Sequence, residues 1–202
     1  MTGHFIAFEG GEGSGKSTQA RRLAERVGAV LTHEPGDTPL GAAVRSILLD
    51  SLTLDINPRA EALLMAADRA QHVVEVVRPV LESGRTVVTD RFSGSSVAYQ
   101  GYGRQLPAAE IAGLSAWATD ELWPDLIFLL EIPLEVSLQR TGGARDRLEA
   151  AGAAFHRRVH DGFLTQAIED PDRWAILDGT QSEDEVAATI WEIVSIRFPD
   201  LV

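Results

Sequence analysis

The chain of 202 residues contains no cysteine. That excludes disulfides, thiolate metal sites and a cysteine nucleophile, and it fits a reducing compartment. Lysine and asparagine each occur once, as Lys16 and Asn57. Positive charge as a whole is scarce: 18 Lys and Arg stand against 30 Asp and Glu, a formal charge of −12. A broad positive field is therefore missing, which argues against a nucleic-acid coat or a polybasic membrane anchor. Long apolar runs are also missing. Phe5-Ile6-Ala7-Phe8 stops at Glu9, short of a secretory signal, and Leu126 to Leu130 is too short to span a bilayer. The expectation is a cytoplasmic protein with no nucleic-acid and no membrane partner.

What is present is ordinary for a globular domain, with 45% apolar and 24% charged residues. The length predicts one domain over residues 1–202. Five apolar runs bounded by turn or charge signals read as buried strands: His4 to Glu9, Ala29 to Thr32, Thr86 to Asp90, Leu126 to Ile132 and Trp174 to Asp178. Helical periodicity fills the gaps: Lys16 to Val27, Leu40 to Leu49, Pro58 to Glu82, Ala108 to Thr119, Leu134 to Arg140, Leu148 to Ile168 and Asp184 to Ile196. Pro79 is a candidate for a kink or an early stop in the long helix. Strands alternating with helices predict an α/β fold, a five-stranded parallel sheet covered on both faces, with ligands at the strand C-terminal edge. Residues 141–149, with Gly142, Gly143, Arg145 and Arg147, read as a small mobile Arg-rich lid or as an ordinary loop between helices.

Gly10 to Ser17 reads G-G-E-G-S-G-K-S, a match to G-x-x-x-x-G-K-[ST] between a strand and a helix. Glycines 10, 11, 13 and 15 let backbone N–H groups approach a phosphate, and the following helix adds its positive end. Lys16 can reach the β- and γ-phosphates, and Ser17 can ligate Mg²⁺. The motif establishes nucleotide phosphate binding and leaves the reaction open. One Asn and one Lys, 41 positions apart, exclude N-K-x-D guanine readout, and H-R-D and D-F-G are absent. Asp90-Arg91 ends the third strand run. Asp90 there can hold Mg²⁺ and Arg91 can grip a phosphate with paired N–H bonds, or the two can form a structural cap and ion pair. His156 and His160 stand four apart without the Glu of H-E-x-x-H, and read as a polar helix face.

The chain resembles the thymidylate kinase family. The resemblance is carried by F-E-G-G-E-G-S-G-K-S-T-Q at Phe8 to Gln19, E-P-G-D-T-P-L-G at Glu34 to Gly41, L-L-M-A-A-D-R-A-Q-H at Leu63 to His72, and D-R-F-S-G-S-S-V-A-Y-Q-G at Asp90 to Gly101. It implies a P-loop three-layer sandwich that phosphorylates dTMP to dTDP with ATP and Mg²⁺, on the route to dTTP, as a homodimer with the long helix as a candidate interface. It also implies site roles. The backbone and side chains of Gly10, Gly11, Glu12, Gly13, Ser14, Gly15, Lys16, Ser17 and Thr18 serve ATP. Glu12 contacts the 3′-hydroxyl of dTMP, Arg69 the thymine base, and Ser96 lies near the base edge; Ser95 and Gln100, in the same helix-start segment, also count as substrate-binding. Tyr99 crowds the sugar C2′ position, and Glu34, Pro35 and Arg45 shape the acceptor-phosphate side. Lys16, Asp90, Arg91 and Arg147 carry the transfer, with Ser17 and Asp90 on the metal and Arg140 against adenine.

Some positions depart from the family pattern. Met65 stands where a Phe usually stacks on thymine, and a polarizable thioether covers a base face with less rigidity. His33 and Asp37 replace the Arg and Gly of R-E-P-G-G-T. Gly13 stands where some members carry an Arg, so the lid arginines Arg140, Arg145 and Arg147 read as its replacement. Family analogy points to a cis peptide before Pro35. Two other readings stay open on the residues alone. One is a P-loop kinase for another monophosphate or a small metabolite; the other is a nucleotide-dependent switch without catalysis.

Overall fold

A computed structural model of the chain describes residues 3–50, 55–141 and 147–201. Its centre is a sheet of five parallel strands: β1 (Phe5–Glu9), β2 (Val30–His33), β3 (Val87–Asp90), β4 (Leu126–Glu131) and β5 (Trp174–Asp178), in the order β2-β3-β1-β4-β5. Each strand is one of the five apolar runs, shifted at its ends by at most a residue. Continuous apolar sequence suits them because the inner strands are covered on both faces. β1 is buried along its whole length.

Alternation along β1 divides the core. Ile6 and Phe8 point to one face, where α1 (Lys16–Val27) contributes Ala20, Leu23 and Ala24, and α9 (Glu183–Arg197) contributes Val186, Ile190 and Val194. Phe5 and Ala7 point to the other, against Val73, Val77, Leu81 and Phe92. A third cluster joins Ala98 and Tyr99 to Phe155, Val159 and Phe163 of α8 (Ala153–Glu169). Helices on both faces of one parallel sheet make the three-layer sandwich.

Helix starts follow local chemistry. Thr38 caps α2 (Pro39–Arg45) by accepting from Gly41 N at 2.9 Å. The lone asparagine, Asn57, caps α3 (Pro58–His72) by accepting from Arg59 N at 2.9 Å, with Pro58 in the first turn. Ser182 and Glu185 form a capping box at the start of α9.

The long helix differs from the uniform one expected. After α3 it passes through a π turn, Val73–Val77, into α4 (Arg78–Glu82). Pro79 falls in the first turn of α4, where a missing N–H costs little. The helix therefore runs through Pro79 with a widened turn before it. The helix expected from Leu148 starts at Ala153 instead, because Gly152 adopts φ 88° and separates a short 3₁₀ turn, Glu149–Ala151, from α8. The segment after β3 is helical throughout, as α5 (Ser93–Ser96) and a π turn over Val97–Gly103. Two further helices, α6 (Ala108–Thr119) and α7 (Leu134–Arg140), have the bounds read from the sequence. Of the lid segment, Gly142, Gly143 and Arg145 lie outside the described residues.

Candidate active site

Register brings the chemistry to one edge. Phe8 pairs with Asp90, and His33 also pairs with Asp90. The ends of β1, β3 and β2 therefore stand side by side, and the glycine loop, Arg91 and Glu34 emerge together. Right-handed parallel connections produce this convergence.

The loop between β1 and α1 needs its glycines. Gly10 has φ 143°, and a Cβ there would lie 2.6 Å from the carbonyl oxygen of Leu130. Gly13 has φ 70°, and a Cβ there would lie 3.1 Å from Cβ of Arg140. An Arg at 13 would be strained and crowded by α7, which accounts for the glycine at this point. Lys16 is buried and donates from Nζ to Gly11 O at 3.0 Å. Burial, with Arg91 nearby, lowers its pKa despite the opposing carboxylates of Glu12, Asp90 and Glu9.

Ser17 Oγ donates to Asp90 Oδ2. The other oxygen, Asp90 Oδ1, is buried with no hydrogen-bond partner among the described residues. A hydroxyl and a half-unsatisfied carboxylate beside a phosphate loop are the hard oxygen donors that Mg²⁺ takes, with substrate oxygens and water completing its shell. No cluster of three or more His, Cys, Asp or Glu suited to a metal exists among the described residues.

Arg91 adopts φ 72°, a left-handed conformation that costs a non-glycine residue about 1 kcal/mol or more. Its surroundings hold it there. Its N–H donates to Phe8 O at 2.9 Å. Nη1 donates to Gly10 O and to Ser95 Oγ, both at 3.0 Å. Nη2 donates to the Glu12 carboxylate and, at 3.3 Å, to Tyr99 Oη. Burial works against the Arg91 charge, yet Tyr99, Glu12, Asp90 and Glu9 outweigh it and raise the pKa further. Burial likewise opposes charge on Glu12, but Arg91 and Lys16 dominate and bring it down to about 2. Burial pushes the Tyr99 hydroxyl up.

A second polar group forms beside it. Glu34 is buried at the end of β2, and the Glu34–Pro35 peptide is cis. Glu34 Oε2 accepts from Arg69 Nε at 2.8 Å, and Oε1 lies 2.9 Å from His72 Nδ1. Arg69 also donates to Ser115 Oγ at 3.2 Å, Phe92 O at 3.2 Å and Ser96 Oγ at 3.0 Å. Arg45 Nη1 donates to Pro35 O at 2.7 Å. Burial and the neighbouring Glu34 raise the Asp68 carboxyl to about 6.

These groups enclose one cavity of about 250 Å³. Every residue expected to serve the acceptor lines it: Glu12, Glu34, Pro35, Arg45, Met65, Arg69, Arg91, Ser95, Ser96, Tyr99 and Gln100. Lys16, Ser17 and Asp90 form its phosphate-loop end. On the far side of the loop, Gly13, Ser14, Gly15 and Arg140 border another cavity with Gly179 and Thr180. Arg140 is held there by donating to Gly179 O at 2.9 Å.

Arg147 does not join this assembly. Its Nη2 donates to Glu61 Oε2 at 2.6 Å, and its Nε to Leu48 O at 3.0 Å. A buried carboxylate on α3 thus holds the Arg147 guanidinium in this structure. Of the lid arginines expected to take the place of an Arg at 13, Arg140 alone touches the loop among the described residues, donating to Gly13 O at 3.3 Å.

Sequence reasoning passed over Glu9 and Glu61. Glu9 is fully buried; its Oε1 accepts from Phe92 N and Ser95 N at 3.0 Å each, and its Oε2 from Ser95 Oγ at 2.5 Å. Burial raises it to about 7. One signal was available: a lone carboxylate ends an otherwise apolar strand. His33, noted in the sequence where the family carries an Arg, lines the cavity too, as do Phe92, Leu49 and Leu148, to which the sequence reading gave no role.

Comparison with known proteins gives one consistent result. Residues 8–190 match the family described as Thymidylate kinase. A thymidylate kinase of Bifidobacterium longum (strain DJO10A) is 48% identical over 94% of this chain and 96% of its own length. One from Deinococcus radiodurans is 48% identical over 96% of this chain and 98% of its own. The crystal structure of thymidylate kinase from Ehrlichia chaffeensis superposes with a TM-score of 0.79 at 30% identity, covering 96% of this chain and 99% of that one.

Proposed function

Because the chain belongs to the thymidylate kinase family, we propose that it catalyses transfer of the γ-phosphoryl group of ATP to dTMP, giving dTDP and ADP. The observation that carries this is one cavity lined both by Lys16, Ser17, Asp90 and Arg91 and by Met65, Arg69, Ser96 and Gln100. A monophosphate placed along it meets cations at its phosphate and hydrogen-bonding groups at its base.

An oxygen of the dTMP phosphate attacks Pγ as the bond from Pγ to the β–γ bridging oxygen breaks. The electron pair leaves with ADP. The attacking phosphate is largely ionised near neutral pH, so no strong general base is required. What the protein must supply is positioning and relief of repulsion between two polyanions. Lys16 takes the β- and γ-phosphates. Arg91, held by its strained backbone and several acceptors, grips the acceptor phosphate, with Arg45 beside it. Ser17 and Asp90 would hold Mg²⁺, which when bound would supply positive charge against the phosphates. Glu12, ionised at any working pH, accepts from the 3′-hydroxyl. Arg69 and Gln100 read the base, Met65 covers its face, and Tyr99 leaves no room for a 2′-hydroxyl. Arg140 and the cavity at Gly13 to Gly15 serve adenine.

The enzyme acts as one domain with its lid over 141–149, and as a homodimer. Leu63 on α3, Val74 on the π turn and Trp117 on α6 are 59%, 66% and 80% exposed on elements that pack together. An exposed apolar patch of this kind favours a partner copy. No helix among the described residues is long and apolar enough to cross a membrane; the formal charge of −12 fits a cytoplasmic enzyme without nucleic-acid partners. An ADP-release assay across nucleoside monophosphates tests the substrate. Another monophosphate turned over tenfold better than dTMP defeats this reading.

A further inference from the structure

Glu61, in the first turn of α3, is fully buried, and donors meet both its oxygens. Oε2 accepts from Arg147 Nη2 at 2.6 Å and lies 3.1 Å from Arg104 Nη2. Arg104 Nε reaches both oxygens at 3.2 Å. Oε1 accepts from Gln100 Nε2 at 2.9 Å. A carboxylate paired with two guanidinium groups has no proton to give. The Gln100 amide must therefore turn its NH₂ toward Glu61, whichever way it would otherwise rest.

The other end of that amide is the informative one. Gln100 Oε1 is buried and has no hydrogen-bond partner among the described residues, while Gln100 belongs to the cavity wall with Arg69 and Ser96. An unpaired buried acceptor costs about 1–3 kcal/mol unless a donor arrives. The same wall carries Arg69, which only donates. A donor beside an acceptor complements an imide ring, with its carbonyls and N3–H. It mismatches cytosine, whose ring nitrogen accepts and whose amino group donates.

We propose that Glu61 is a positioning residue for base specificity: by fixing the Gln100 amide it makes the cavity wall an acceptor and selects pyrimidines bearing N3–H. This rests on reading the cavity as the nucleobase pocket. Glu61 does not touch the base and acts only through Gln100.

Glu61→Gln tests it with little change of shape. The arginines hold the new side-chain oxygen at the Oε2 position, so its NH₂ faces Gln100. Gln100 then accepts from residue 61 and presents its own NH₂ to the cavity. The expected result is a dTMP KM raised about tenfold or more, a kcat changed by less than about threefold, and a dTMP-over-dCMP ratio of kcat/KM lowered about tenfold. Arg69 still disfavours dCMP, so the preference narrows without reversing. In a Gln100→Met background Glu61→Gln should change the ratio by less than about twofold. An unchanged ratio in the folded variant overturns the proposal. So does an equal loss in both backgrounds, which would place the effect in Arg104 and Arg147. If Glu61→Gln does not fold, NMR of the unsubstituted protein decides. The side-chain amide signals that vanish in Gln100→Met should exchange slowly with solvent, and free exchange overturns the proposal. Absence of dTMP turnover in the unsubstituted enzyme defeats the function above; the NMR measurement reads the Glu61–Gln100 bond without substrate.

Discussion

Arg91 donates to the carboxylate of Glu12, so the two residues assigned to the phosphate and to the 3′-hydroxyl of dTMP are bonded to each other. Each also shapes the other's charge: Arg91 helps keep Glu12 ionised, and Glu12 helps keep Arg91 cationic. The nucleotide thus enters a site whose charges are already paired, and it must exchange those bonds for its own.

One guanidinium here serves Gly10 O, Ser95 Oγ, Glu12 and Tyr99 Oη. An ammonium has no planar fork to do this. Arg91→Lys should keep the fold and lower kcat/KM for dTMP about a hundredfold, with the dTMP KM raised, in steady-state assays at saturating ATP. A KM and kcat within about twofold of native would remove Arg91 from the acceptor site.

Lys16 is buried and its charge is disfavoured there, as its lowered pKa records. Its retention costs stability, so Lys16→Met should leave the thermal midpoint equal or higher. The same variant should lose kcat by about a hundredfold or more, because positive charge on the transferred phosphoryl is lost. Calorimetry and single-turnover kinetics measure the two effects separately. A lowered midpoint would mean that Lys16 is structural.

Glu9 is raised to about 7 by burial, from 4.5 in a model peptide. The folded state therefore binds its proton more tightly than the unfolded chain. Its contribution to stability is full below about pH 4.5 and is lost as pH rises through about 7. The difference amounts to about 3 kcal/mol. Glu9→Gln should flatten the stability curve between pH 5 and pH 8, measured by urea unfolding at several pH values. Parallel curves for native and variant would show that Glu9 does not titrate in this range.

Arg147 binds a buried carboxylate and a backbone carbonyl. Arg147→Ala should therefore reduce stability by about 2 kcal/mol, with Arg104 retaining part of the pairing of Glu61. The midpoint of denaturation reads this directly. Unchanged stability together with a large loss of kcat would return Arg147 to the phosphate.

Local chemistry made much of this protein legible from its residues alone. Five apolar runs with charged or turn boundaries became five strands; β1, β3 and β4 are buried as expected, while β2 and β5 stand at the sheet edges and are partly exposed, because an edge strand has a neighbour on one side only. The phosphate loop was equally plain, since its glycines and lysine answer to backbone geometry and to one ligand group within eight residues. Pro58 marked the start of α3, and the structure adds that Asn57 caps it, a local interaction with its immediate neighbours. Pro79, a candidate for a kink or an early stop, falls in the first turn of α4 after a π turn, and the helix runs on to Glu82.

What lay beyond the sequence was which distant side chains meet. Glu9 was visible as a charge ending an apolar strand, but its hold on Phe92 and Ser95 is made across the sheet. Arg147 lies within the lid segment in sequence, yet its partner Glu61 lies 86 positions earlier. Glu61 in turn sets the Gln100 amide from another helix. The sequence by itself determined the strands, the caps and the phosphate loop, whose causes are local. Only the tertiary structure decided that Arg91 pairs with Glu12 and Arg147 with the buried Glu61, because a charge takes the nearest partner that the fold brings to it.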